Sequence, residues 1–162
     1  MQVPKTEQKQ ALLKSYNQLS ELEAALKTVN QGGTNKIMIT IIGNLEDVHA
    51  NDRKDLAHKK RQLQSYFKEL LGTDTDFDTF CNSEIGCLFV AGFLVSMFLN
   101  PVGKKTLGEL SGGIYGVFRG LGVSEAKANL NAKRLKDGKY LLLVRGKRFD
   151  IEKLKDRLED SK

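Results

Sequence analysis

Residues 85–99 read IGCLFVAGFLVSMFL, an uncharged run in a protein whose residues are 28% charged. A stretch this apolar must leave water, so it enters a bilayer, meets a partner or fills the chain's own core. It is shorter than the ~20 residues a straight membrane-spanning helix needs. The uncharged flank through Gly103 brings it close to that length. Asn100-Pro101 then signals a turn, and Gly108, Gly112, Gly116 and Gly120 follow at every fourth position. On one helix these four glycines would share a face. Each costs about 1 kcal/mol relative to alanine, which close packing against another helix would offset. The pattern predicts a hydrophobic helical hairpin over 81–121, with Gly92 and Ser96 opposite the glycines. Such a hairpin serves membrane association or forms the dry centre of a homo-oligomer. Glu109 and Arg119 oppose full insertion, at roughly 3 kcal/mol for each charge at the bilayer centre.

Around this segment the chain alternates strand and helix signals. Residues 11–16 read as a short strand. Ser20 and Glu23 have the spacing of a capping box. Leu22, Ala25, Leu26 and Val29 then recur at helical spacing until Gly32-Gly33 stops the helix. Residues 36–42 are β-branched and apolar, as in a buried strand. From 44 to 71 a charged helix is expected, with Leu56, Leu63, Phe67 and Leu70 on one face, followed by an acidic linker to residue 80. Ser124 is the expected cap of a helix to Lys136, residues 139–145 (KYLLLVR) form another strand, and Asp150 caps a last helix.

Length, 162 residues, and an apolar fraction of 40% suit one folded domain and exclude a disordered tail or a collagen-like fibre. Lys and Arg number 26 against 20 Asp and Glu, a net charge of +6 that favours anionic surfaces. Two basic clusters stand out: Lys59, Lys60, Arg61, and Arg145, Lys147, Arg148. Both suit phosphate or lipid headgroups. No aromatic residues interleave with them as a base-stacking platform would require, so nucleic acid is the less expected partner. Cys81 and Cys87 cannot assemble a four-ligand zinc site locally. They are expected as reduced, buried small hydrophobes, with a redox pair or an intermolecular disulfide as the alternatives. Asp74, Asp76 and Asp78 begin like a calcium loop, but Thr79 and Ile85 occupy the positions that need glycine and glutamate. Asp47, His49 and Asp52 match no strong metal template, and His58 stands on a helix face. No nucleotide, protease or hydrolase motif is present. The expectation is a non-catalytic protein with no cofactor. The first ten residues lack a secretory pattern, which points to a cytosol-facing chain.

Two stretches carry a family likeness. YNQLSELEAALKTV, beginning at Tyr16, and the strand at 37–42 resemble the opening of a bacterial general stress protein family. The closing pattern resembles it more fully: Gly120, Leu121, Gly122, Val123, Ser124 and Glu125, then Ala128, Lys136, Gly138, Tyr140, Leu141, Leu142 and Val144. Ser124 replaces the family's usual proline, Leu130-Asn131 replaces an aromatic, and 44–80 is longer and more charged. The resemblance implies two halves of an α/β core flanking a glycine-rich hairpin, and it supplies no catalytic residue. Together these readings predict an α+β sandwich. After a flexible 1–10, its α/β core comes in two halves, 11–43 and 122–162, with a small ferredoxin-like sheet from 11–42 and 139–145. A helical and acidic segment at 44–80 offers a surface for a protein partner, and the hairpin inserts at 81–121. The expected role is a stress-linked, membrane-associated or self-assembling module. The alternative is a soluble homo-oligomer that binds an anionic ligand or RNA through the basic clusters.

Overall fold

A computed structural model describes residues 8–31, 37–45 and 53–160. The Gly32-Gly33 stop, Lys36, Asp47, His49, Asp52 and the start of the expected flexible N-terminus lie outside them. The elements run β1 (Lys9–Tyr16), α1 (Leu19–Asn30), β2 (Met38–Asn44), α2 (Arg53–Leu71), β3 (Phe77–Asn82), β4 (Gly86–Gly92) and α3 (Val95–Phe98). The β5 (Pro101–Val102) and β6 (Lys105–Thr106) ribbon and a 3-10 turn at Leu107–Glu109 follow. The chain ends with α4 (Gly113–Gly120), α5 (Glu125–Lys136), β7 (Tyr140–Lys147) and α6 (Arg148–Asp160).

Five strands form one antiparallel sheet in the order β1-β7-β2-β4-β3. From β2 to β7 the connectivity is that of a ferredoxin-like sheet, and β1 extends it beyond β7. Each helical crossover skips one strand, so the sheet's middle is built from β7, β2 and β4. The fold is α+β, as expected.

Side-chain alternation divides the core into two layers. Ile41, Phe89, Ala91, Leu142 and Val144 face α1, α2 and α6, where they meet Leu22, Leu26, Phe67, Ile151 and Leu154. Ile42, Leu88, Val90, Leu141 and Leu143 face the opposite way, against Phe98, Ile114, Phe118, Ala128 and Leu135. Burying one such side chain fully stabilises the fold by about 1.5–3 kcal/mol. A strand covered on both faces has no polar side, so it reads as a continuous apolar run. This is the physical origin of the uncharged segment. Its first half is β4, and Leu94, Val95 and Phe98 continue into the second core layer.

Several expectations are therefore corrected. The inserted helical hairpin is a β-hairpin (β3–β4) followed by short helices, and the acidic linker ends as an edge strand. The sheet draws strands from 77–92 as well as from the two terminal halves. Cys81 and Cys87, directly opposite in that hairpin, are joined by a disulfide instead of being reduced thiols. Ser20 does not cap α1: Gln18 occupies the cap without a side-chain bond, and the Glu23 carboxylate accepts from the Tyr66 hydroxyl. Likewise Asp150 lies inside α6, which continues directly from β7. Ser124 does cap α5, its hydroxyl accepting from Lys127 N at 3.3 Å. Among the described residues no helix is long and apolar enough to cross a membrane.

Candidate functional site

The four glycines at every fourth position do not share a helix. Gly108 lies in the 3-10 turn, where a Cβ would come within 2.7 Å of the Phe80 ring. Gly112 precedes α4 with φ +72, a left-handed conformation that side chains rarely adopt. Gly92 ends β4 at φ +124, and a Cβ there would meet Ile39 O at 2.1 Å. It closes the approach of β2 to β4, so it does not oppose the other glycines. Ser96 is exposed on α3. The expected zipper between two helices is absent, because the first of them is a strand.

Gly116 and Gly120 behave differently. Both are exposed in α4, their φ is ordinary, and no atom lies within 4 Å of where a Cβ would stand. Their missing side chains leave open a groove of about 510 Å³. Its walls are Met97 from α3, Leu107 from the 3-10 turn, Leu110 just after that turn, Leu121 beyond α4, and Arg145 from β7. Met97 is 40% exposed, and the three leucines are half-buried.

Polar contacts hold this groove in shape. The amide of Asn82, itself buried, donates to Gly108 O at 2.8 Å and Leu110 O at 3.0 Å. Its oxygen accepts from Glu84 N and Ile85 N. One side chain thus shapes the β3–β4 turn and ties it to the groove wall. The Glu84 carboxylate accepts from Ser111 Oγ at 2.7 Å and Gly112 N at 2.8 Å, which fastens the turn to the start of α4. Those bonds hold its carboxyl below the usual range. Glu109 is lowered too, by the bond from Thr106 N that belongs to a capping box and by a further bond from the Thr106 hydroxyl. Both carboxylates serve as caps and turn locks, which is structural work.

The basic residues do not gather into one surface. Lys60 pairs with Asp78 at 2.8 Å, Arg61 is exposed, and Lys59 lines a cavity of about 290 Å³ beside Tyr66 and Tyr140. In the second cluster Arg148 pairs with Glu152 at 2.9 Å. Lys147 and Arg145, two apart on β7, share the sheet face that α4 and α5 cover. Only Arg145 joins the groove. Asp74 and Asp76 border a cavity of about 530 Å³ with Ile37, Ile39 and Phe93. Among the described residues no group of three His, Cys, Asp or Glu is placed to hold a metal ion.

Sequence reasoning named Gly112, Gly116, Gly120 and Arg145 but not their meeting place. It missed Asn82, although Asn-Ser-Glu between two apolar runs is a turn signal. Met97, Leu107, Leu110 and Leu121 carried no signal separating them from core. No family model matches the chain, and no curated protein or solved structure matches it.

Proposed function

We propose that the chain is a non-catalytic interaction module whose working surface is the groove beside α4. Gly116 and Gly120 carry this reading. Helical glycine costs about 1 kcal/mol per position relative to alanine, and here the chain's own packing gains nothing from it, since a Cβ would meet empty space. A cost without an internal return points to something outside the chain that needs the room. The membrane-associated and self-assembling readings both require an exposed apolar surface, and this groove supplies one without a spanning helix. The buried apolar run removes the main support for a hairpin anchor. Stress-protein kinship stays part of the proposal on the sequence likeness at 16–29 and 120–144. Arg145 apart, the polar side chains around the groove, Asn82, Glu84, Glu109 and Ser111, have structural partners, which favours binding over catalysis.

Filling the groove tests the reading. Replacing Gly116 and Gly120 by Leu together is expected to preserve the circular dichroism spectrum. The native assembly mass or the membrane-recovered fraction should fall several-fold. Unchanged mass and unchanged recovery would remove the groove from the protein's function.

A further inference from the structure

Arg145 is the one charged residue in the groove lining. The residue is half-buried. Other arginines on this side are engaged: Arg119 donates to Val123 O at 3.0 Å and Arg134 to Ser15 Oγ at 2.6 Å. Among the described residues Arg145 has no hydrogen bond or ion pair from its side chain. An anion placed against this guanidinium supplies the charge-assisted hydrogen bonds that the chain's own described residues do not. The rest of the lining is apolar or glycine except for Ser111. A ligand matched to this surface needs a slender apolar body and one anionic end.

We propose, resting on the groove reading above, that the groove binds a single-chain anionic amphiphile of the long-chain carboxylate type. Its alkyl chain lies over Gly116 and Gly120, between Met97 and Leu107, and its carboxylate meets Arg145. The groove's volume of about 510 Å³ lies within the roughly 300–1,000 Å³ usual for small-molecule sites. The net charge of +6 favours arrival of an anion. A branched or bulky body would not lie flat on a floor made by two glycines one helical turn apart.

Calorimetric titration of the full chain with dodecanoate, below its critical micelle concentration, tests the proposal. Dodecanol and dodecyltrimethylammonium serve as neutral and cationic counterparts. Saturable one-to-one binding of dodecanoate is expected, with dodecanol about tenfold weaker and the cation weaker still. Arg145→Gln should bring dodecanoate down to the affinity of dodecanol and leave dodecanol unchanged. Gly116→Leu should abolish both while the protein stays folded, because the position has open space around it. Binding of dodecanoate that Arg145→Gln leaves intact would overturn the proposal, as would uptake only above the micelle concentration or only into vesicles. If the paired glycine replacement disrupts assembly yet dodecanoate fails to bind, the ligand class is wrong and the groove reading survives. If neither responds, both fall.

Discussion

Two glycines that look alike in the sequence do opposite work. Gly92 sits at φ +124 with Ile39 O 2.1 Å from a would-be Cβ, so Gly92→Ala should cost at least ~2 kcal/mol by combining backbone strain with a backbone clash. Gly116 has an ordinary helical φ and open space, so Gly116→Ala should raise stability by up to about 1 kcal/mol. Urea denaturation of the two variants checks the pair. Equal effects would mean that the helical and strand assignments around them are wrong. Spacing alone could not distinguish them, because a period of four says nothing about φ or about which atoms lie nearby. Ser124 was legible because a cap depends on its immediate neighbours. Ser20 was not, because Glu23 meets Tyr66, which lies 43 positions along the chain.

At the level of elements, α1, β2, α5 and β7 follow from local pattern: one apolar face at helical spacing, or a short β-branched and leucine-rich run. The β3–β4 hairpin did not. An apolar run covered on both faces loses its period of two, so a buried strand and a hydrophobic helix read alike. The acidic residues before it hid β3, an edge strand whose Asp78 turns outward to Lys60. The cysteines were ambiguous for the same reason, since only the hairpin register brings Cys81 opposite Cys87. Their bond closes a short loop, and opening it should lower stability by about 2 kcal/mol through the unfolded chain's regained freedom. Thermal unfolding with and without a dithiol reductant measures this. A reductant-insensitive midpoint would contradict a staple across the hairpin.

For the whole molecule, the sheet has helices on both faces and its two edges at β1 and β3. Lys9 and Lys14 on β1 place charge along one edge, a feature that discourages edge-to-edge pairing. The fold class was legible because enough strands and helices announced themselves. The groove was not, since it is assembled from α3, the 3-10 turn, α4 and β7, four pieces from Met97 to Arg145 in sequence. Across the whole molecule the chain's most hydrophobic segment is spent on the sheet core, and the proposed ligand surface is the α4 groove.

Native-state amide hydrogen exchange in aqueous buffer, without detergent or lipid, tests that claim most directly. The amides of Val90 and its neighbours in β4 that bond to the adjacent strands should be among the slowest to exchange, opening only with global unfolding, together with those of Leu142 and Ile41. Fast exchange across residues 86–92 that becomes protected only when vesicles are added would show that the segment belongs to a membrane and that this core is misassigned.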